Sequence, residues 1–373
     1  MRLRTAVAVA ATGVVGAGTA ALAAGRYGSA YALKPTVAGP APERLVRVRS
    51  VTDGQVVLTR TAASARPGVY GLTAPGVHAV VGQVADPGAD GPTVTRSLLR
   101  VTRGSLLPGA MVRPTLLVHR GDPRGALGLD HRDVDVPGDL GPLPAWQLPG
   151  DRLTWVVLVH GVGATREQAL SLMPALHRFR MPQLAVSYRN DPGAPASPDR
   201  IGHMGATEWH DLDAALRYAV GQGAERLVLL GWGTGATMAL YAAERSAVRD
   251  RITGLVLDSP VLDWPATVRA AVRARHLPAA LAPLAVRAVE GRTGMRRHPG
   301  RDAPPLRSPS VPTMIAHGPG DAFASWDATR ALVGLRPETV HLYPVQDAPH
   351  AAMWNADPTA YEETLRRFLT PLM

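Results

Sequence analysis

The C-terminal part of the sequence alternates apolar runs with longer stretches of helical spacing, and this alternation constrains the fold more than any other feature. It starts after Asp151 and continues to the end of the chain. Apolar runs of this kind are typical of parallel strands that are buried on both faces, and the stretches between them supply the covering helices. Residues 151–373 are therefore predicted to form an α/β domain with a mostly parallel sheet and helices on both faces.

The expected strands of this domain are rich in Val, Ile and Leu, and the expected helices have apolar residues on one face. The strands are Thr154–His160, Gln183–Tyr188, Arg226–Leu230, Ile252–Asp258, Val311–His317 and Glu338–Tyr343, and the helices are Glu208–Val220, Ala236–Ala247 and Pro358–Leu369. Residues 264–310 interrupt the alternation with two helix-prone stretches, Thr267–Arg275 and Leu277–Val289. An insert at this place commonly shapes the mouth of a site, so we expect a lid-like segment, with a surface excursion as the alternative.

Residues 34–150 have a different texture, in which short β-favouring runs are separated by Gly and Pro. These runs are Leu45–Val51, Gln55–Arg60, His78–Val84 and Met111–His119. No helical period and no cluster of catalytic residue types accompanies them. We therefore expect a small β-rich accessory domain with a packing or docking role.

The N-terminal residues indicate contact with a membrane. Arg2 and Arg4 precede an uncharged stretch, Thr5–Ala24, whose length is close to that of a membrane-spanning helix. Residues 1–33 are predicted to be an uncleaved anchor; a signal cleaved near residues 30–32 and a buried helix are the alternatives. Because the arginines should stay on the cytoplasmic side, the body of the protein is expected outside the cytoplasm, on the cell membrane or secreted.

Composition excludes several classes of function. The net charge is +10, but the arginines are scattered and no basic run is interleaved with aromatic residues, so no nucleic-acid partner is expected. The chain has no cysteine, which excludes disulfides, thiolate metal sites and cysteine nucleophiles.

The most informative motif follows the strand that ends at Leu230. The residues Gly-Trp-Gly-Thr-Gly, 231–235, connect this strand to a predicted helix. In a working Gly-x-Ser-x-Gly elbow, the two outer glycines permit a strained turn that exposes the central serine above the sheet. Here the central residue is Gly233, which has no side chain to react.

Other parts of a hydrolytic site occur in the expected order along the chain. The turn at residues 160–163 follows a strand, and its amides can form half of an oxyanion hole. Asp321 follows a later strand, and His350 follows the last one. Asp258 and Asp347 are alternative partners for His350.

Two hydroxyls near the motif are alternative nucleophiles, and one further cluster suggests a metal. Thr234 is next to Gly233, but its side chain should point away from His350, and Ser259 more simply forms a strand-end hydrogen bond. His203, Glu208 and His210 do not have the spacing of a zinc site, so we expect no metal and no cofactor. Trp209 and Trp264 are expected to be packing residues.

Several motifs together carry a resemblance to a known superfamily. They are Val159-His160-Gly161, Ser187–Asp191, Glu208-Trp209, Leu257–Pro260 with Leu262–Trp264, His350, Trp354-Asn355 and Asp357-Pro358. On these residues the chain resembles the α/β-hydrolase superfamily, and within it the membrane-anchored extracytoplasmic hydrolases of high-GC bacteria, in the serine aminopeptidase and esterase branch.

The resemblance implies an α/β-hydrolase fold and assigns roles to particular residues. It implies Asp321 as the acid, His350 as the base, and the amides of Val162 or Gly163 and of Thr234 as the oxyanion hole. The implied ligand is a small ester, amide or peptide. The chain departs from the pattern at the elbow, where the family usually has Gly-Trp-Ser-Met-Gly-Gly and this sequence has Gly-Trp-Gly-Thr-Gly-Ala.

The absence of a serine at the elbow determines the order of the functional hypotheses. Removing a triad serine costs about a million-fold in turnover. The first hypothesis is therefore a pseudohydrolase that binds a ligand or partner. The alternatives are a residual hydrolase in which His350 and Asp321 activate water directly, and a structural membrane-anchored module.

Overall fold

The computed structural model describes residues 23, 25–30, 33–34, 40, 42–86, 88, 90–295 and 310–373. The predicted membrane run, apart from residue 23, lies outside these residues, as do Arg2, Arg4 and two of the three residues of the expected cleavage site. Among the described residues, no helix is both long and apolar enough to cross a membrane.

The β-rich domain is a closed antiparallel barrel. Its strands are β1 (Val46–Thr52), β2 (Gln55–Thr59), β3 (Tyr70–Ala74), β4 (Val77–Val84), β5 (Thr93–Arg103) and β6 (Met111–Thr115), paired in the order β1-β2-β5-β4-β3-β6. Pairing of β1 with β6 closes the barrel, which removes the exposed strand edges that an open sheet would have. Alternating residues such as Val46, Val48, Val56 and Leu58 fill its interior.

A buried arginine organises one end of the barrel. Arg96 is 1% exposed, and its guanidinium donates hydrogen bonds to the carbonyl oxygens of Ser64, Arg66, Gly68 and Gly82. Burial lowers the pKa of Arg96 to about 10, so the group stays charged at neutral pH. Arg96 thereby fixes the loop at residues 64–68.

The second domain is built on an eight-stranded mixed sheet. Its strands are β7 (Arg132–Gly138), β8 (Gly141–Leu148), β9 (Thr154–Val159), β10 (Gln183–Val186), β11 (Arg226–Trp232), β12 (Ile252–Asp258), β13 (Thr313–His317) and β14 (Val340–Pro344). The order is β14-β13-β12-β11-β9-β10-β8-β7, and β9 to β14 are parallel to one another.

The sheet extends further toward the N-terminus than the boundary expected at Asp151. The antiparallel hairpin of β7 and β8 belongs to it, because β8 pairs with β10. Strand β7 is the outermost strand and is half-exposed, with charged residues such as Asp133 and Asp135 pointing outward. The alternation of polar and apolar residues in β7 resembles the sequence pattern of the barrel strands, not the continuous apolar run of a buried parallel strand.

Helices cover both faces of the sheet. They are α1 (Pro123–Leu127), α2 (Met173–Arg178), α3 (Trp209–Gly221), α4 (Thr234–Arg245), α5 (Trp264–Ala274), α6 (Leu281–Thr293), α7 (Trp326–Leu335), α8 (Met353–Ala356) and α9 (Pro358–Leu369), with short 3-10 turns at Arg166–Ser171, Arg249–Arg251 and Thr370–Leu372. One apolar core includes residues of α3 and α4, and a second, on the other face, includes residues of α2 and α9.

The insert forms a helical pair, α5 and α6, as far as the structure describes it; residues 296–309 lie outside the described part. Helix α5 begins at Trp264, where the carboxylate of Asp263 accepts a hydrogen bond from the amide of Ala266. Trp264 packs in the core of this pair together with Leu33. The N-terminal segment therefore contacts the insert directly.

The barrel is fastened to the α/β domain beside His350. Nδ2 of Asn355 donates to the backbone carbonyl oxygens of Val69 (2.8 Å) and Leu116 (2.9 Å), and the backbone carbonyl oxygen of Asn355 accepts from the backbone amide of Val69 (2.8 Å). Gly68 has a φ of +105°, and a Cβ atom there would lie 2.1 Å from the carbonyl oxygen of Asn355. Only glycine permits this close approach.

Candidate active site

The motif at residues 231–235 forms a sharp strand-to-helix turn. Strand β11 ends at Trp232, α4 begins at Thr234, and Gly233 between them has a φ of +53° and a ψ of −115°. A side chain is rarely held in this backbone region except at functional sites. A Cβ atom on Gly231 would lie 2.5 Å from the carbonyl carbon of Gly235, so the turn also requires its first glycine.

The structure brings Gly233, His350 and Asp321 together. Nδ1 of His350 lies 2.8 Å from Oδ2 of Asp321, and both side chains are buried. A Cβ atom on Gly233 would lie 2.7 Å from Nε2 of His350. Because Nδ1–H donates to the carboxylate, Nε2 of the neutral ring is an acceptor aimed at the position that a nucleophile would occupy.

Asp321 is held as an ionised acceptor at the end of β13. Its Oδ1 accepts hydrogen bonds from the amides of Phe323 (2.8 Å) and Ala324 (2.9 Å), and its Oδ2 is also 3.0 Å from Nε2 of His317. Burial alone would raise the pKa of Asp321, but its electrostatic interaction with His350 and the hydrogen bonds from both imidazoles hold it well below its ordinary value. Sequence reasoning missed His317, although it lies four residues before Asp321 at the end of a strand.

One donor of the expected oxyanion hole is engaged within the protein itself. The amide of Val162 donates a 2.8 Å hydrogen bond to Oγ1 of Thr234. The hydroxyl of Thr234 thus takes the acceptor position that a substrate oxygen would need at this amide. Tyr188 lines the same cleft as Thr234, and burial raises the pKa of its hydroxyl well above the ordinary value. Gly163 lines both adjoining clefts.

A buried histidine of the Val159-His160-Gly161 motif supports the turn that carries Val162, and the sequence did not reveal its partner. Nε2 of His160 lies 2.7 Å from Oδ2 of Asp191, which also accepts from the amide of Tyr188 (2.8 Å). The His160 ring stacks on Tyr188 with centroids 4.5 Å apart. These contacts position the turn relative to Thr234.

The alternative residues have other roles in the structure. Oγ of Ser259 donates to Asp258 and accepts from the amide of Ala351, each at 2.9 Å, so this hydroxyl is fully engaged. Asp347 is exposed, whereas Asp321 binds His350.

The candidate metal cluster is instead a capped turn. Glu208 accepts hydrogen bonds from the amides of His203 (2.6 Å) and Gly205 (3.0 Å). His210 is exposed, and Trp209, the first residue of α3, packs in the apolar core. In the part of the chain that the structure describes, no three His, Asp or Glu side chains are grouped so as to hold a metal ion.

Two clefts meet at the turn of residues 162–164. One, of about 370 Å³, lies between the barrel and the α/β domain and is lined by His350, Trp232 and Trp354 on one side and by Tyr70 and Leu116 on the other. The second, of about 390 Å³, is lined by residues that include Thr234, Tyr188 and Met204. The barrel is therefore one wall of the candidate site.

Asp258, at the end of β12, is predicted to make stability depend on pH. Burial raises its pKa from 3.8 to about 7. A carboxyl with a raised folded pKa favours the fold when protonated, so this contribution declines as pH rises from about 4 to about 7. A shift of about three units corresponds to at most about 4 kcal/mol, at about 1.36 kcal/mol per unit.

We therefore expect Asp258→Asn to be more stable than wild type at pH 8, and this advantage to shrink toward pH 4. Urea unfolding at both pH values measures it. Asp347→Asn, at an exposed site, is the matched control. Equal pH dependence of wild type and Asp258→Asn would contradict the assignment.

Comparison with known proteins found one family model that matches part of the chain. A family model described as a domain of unknown function (DUF8805) matches residues 47–115, which are the barrel. No match to the sequence was found among curated proteins.

Solved structures similar to the chain align with its larger part. An esterase of Pyrococcus furiosus is 20% identical with a TM-score of 0.55, and the alignment covers 68% of this chain and 95% of that one. A second crystal form of this esterase is 19% identical with a TM-score of 0.54, and the alignment covers 68% of this chain and 97% of that one. A Bacillus subtilis protein provisionally named a hydrolase is 15% identical with a TM-score of 0.50, and the alignment covers 65% of this chain and 93% of that one. The α/β domain has the α/β-hydrolase fold, which confirms the predicted fold class for this part.

Proposed function

We propose that this protein is an α/β-hydrolase-fold protein that binds a small ester, amide or peptide ligand at the elbow without forming an acyl-enzyme. The observation that carries the proposal is Gly233, which stands at the nucleophile position with Nε2 of His350 aimed at it. The bond from the Val162 amide to Thr234 supports it, because an amide that already donates within the protein is not free to stabilise a tetrahedral intermediate.

Covalent labelling tests this proposal directly. We expect wild type, incubated with a fluorophosphonate or with p-nitrophenyl acetate, to show no adduct in intact-mass and peptide mass spectrometry. A serine esterase in the same reaction is the positive control. An adduct on Thr234 or Ser259 would contradict the proposal, since it would identify a working nucleophile.

Direct activation of water is the second candidate function, and the intact pairing of His350 with Asp321 favours it. In this case Nε2 takes the proton from a water that attacks the ligand, and no covalent intermediate forms. Turnover of p-nitrophenyl acetate without any adduct, and its loss in His350→Ala at unchanged melting temperature, would support this function over pure binding.

We further propose that the protein belongs to the membrane-anchored extracytoplasmic branch of these hydrolases. The support is the order of Arg2, Arg4 and the uncharged run after them. We expect a reporter fused after Pro35 to be active only outside the cytoplasm, and deletion of residues 1–33 to release the protein from the membrane fraction. Cytoplasmic reporter activity would contradict this location.

A further inference from the structure

The cleft between the barrel and the α/β domain has a charged part on its barrel side. Arg66 and Arg113 both line it, together with Glu43. Nη1 of Arg66 lies 3.0 Å from Oε1 of Glu43, and Nη1 of Arg113 donates to the backbone carbonyl oxygen of Glu43. Both arginines therefore converge on one acidic residue.

The charges in this part do not balance. Glu43 neutralises Arg66, whereas Arg113 forms no ion pair with any carboxylate of the described residues. Glu167, the other acidic residue of the lining, is paired with Arg120 at 3.2 Å. The barrel side of the cleft consequently keeps one uncompensated positive charge, which favours a ligand with one negative charge.

Tyr70 adds an aromatic ring to the same wall. Its side chain lines the cleft and is 3% exposed. The guanidinium of Arg66 lies 5.8 Å from the centre of this ring. The Tyr70 hydroxyl is buried and is not accessible from the cleft, so the tyrosine contributes only its ring to the wall.

His350, which lines the same cleft, calls for the reverse chemistry. Nδ1 of His350 donates to Asp321, so Nε2 of the neutral ring is an acceptor and suits a ligand that presents an O–H or N–H group. The lining also includes Leu116, Leu117 and Trp354. These residues suit an apolar body.

We propose that the barrel selects the ligand and that the cleft takes an amphiphilic monoanion, with a carboxylate at Arg113 and Arg66, an apolar body, and an O–H or N–H group that donates to Nε2 of His350. An amide or peptide with a free carboxylate has these three parts. This inference rests on the ligand-binding role proposed above and narrows its ligand to a monoanion. The barrel, fastened beside His350 through Asn355, then acts as a fixed wall of the site.

Titration calorimetry with three probes of equal chain length tests the inference on the purified protein. The probes are 8-hydroxyoctanoate, octanoate and 1,8-octanediol. We expect wild type to bind 8-hydroxyoctanoate at least about tenfold more tightly than either other probe, since each charge-assisted or buried hydrogen bond contributes about that factor.

Variants separate the two ends of the ligand. Arg113→Gln is expected to weaken 8-hydroxyoctanoate and octanoate about tenfold or more and to leave the diol unchanged, whereas His350→Phe should remove only the advantage conferred by the hydroxyl. Arg66→Gln provides a second test of the charged end. Arg47→Gln, an exposed arginine of β1 outside the cleft, is the control for the loss of one charge. Melting temperatures verify that each variant is folded.

Equal affinity of wild type for the three probes, or unchanged octanoate binding in both arginine variants, would overturn the inference. Absence of binding by every probe would overturn it as well. None of these results bears on the lack of an acyl adduct, so failure here is distinguishable from failure of the proposed function.

Discussion

Gly233→Ser is expected to restore slow acylation, and Gly233→Ser combined with Thr234→Ala is expected to acylate faster. The serine hydroxyl would stand beside Nε2 of His350, which the Asp321 carboxylate already orients. The alanine would release the Val162 amide from Oγ1 of Thr234. Since one oxyanion donor is worth about 10²–10³ in kcat, the double variant should exceed the single variant by at least about tenfold.

The single variant should remain slow for a steric reason as well. A Cβ atom at residue 233 would lie 2.7 Å from Nε2 of His350, so the imidazole must move away to accommodate it. A serine must also accept a φ of +53°, at a cost of about 1–3 kcal/mol. The elbow already has this backbone conformation, so the backbone need not rearrange to accept the residue.

Stopped-flow release of p-nitrophenol and mass spectrometry at residue 233 measure the gain. Gly233→Ala, which adds the Cβ atom without the hydroxyl, is the matched control for steric effects. Adding His350→Ala to the double variant should abolish the gain. If both serine variants are folded and form no adduct, the prediction fails, and the site has lost more than its nucleophile.

The buried strands could be predicted from the sequence because burial on both faces produces continuous apolar runs. The predicted bounds of the strand Ile252–Asp258 and of the helix Pro358–Leu369 are identical to the observed ones. Strand β5 was not predicted. Its second half is exposed and carries charged residues, so its hydropathy pattern resembles that of a loop. Closure of the barrel depends on pairing between β1 and β6, which are far apart in the sequence.

The order of Gly233, Asp321 and His350 along the chain was enough to predict that they are neighbours, because the carboxyl ends of parallel strands share one edge of the sheet. The hydrogen bond from Val162 to Thr234 was not predictable, since it depends on one side-chain rotamer across a turn. The sequence also did not predict that the barrel forms a wall of the site, because this arrangement depends on contacts between distant segments, such as those of Asn355.

Asp321→Ala is expected to destabilise the protein strongly. The substitution would leave four donors without their acceptor in a buried place: Nδ1 of His350, Nε2 of His317 and the amides of Phe323 and Ala324. Removing one partner of a buried charged network costs about 3–5 kcal/mol. Asp321→Asn keeps one carbonyl oxygen for the two amides and should therefore lose less.

The pH dependence of this loss has a defined sign. The folded pKa of Asp321 lies below its ordinary value of 3.8, so its contribution is complete above about pH 4 and declines as pH falls further. The stability gap between wild type and Asp321→Asn should consequently be constant from pH 7 to about pH 5 and narrow in more acidic buffer. Asp321→Asn is expected to be less stable than wild type, whereas Asp258→Asn is expected to be more stable, with a gap that already narrows between pH 8 and pH 4. Urea unfolding across this range measures both variants, with the exposed Asp347→Ala as a control expected to change stability by less than about 0.5 kcal/mol. A loss below about 1 kcal/mol for Asp321→Ala at pH 7 would show that the donors find other acceptors, and that this carboxylate does not hold His350 against the elbow.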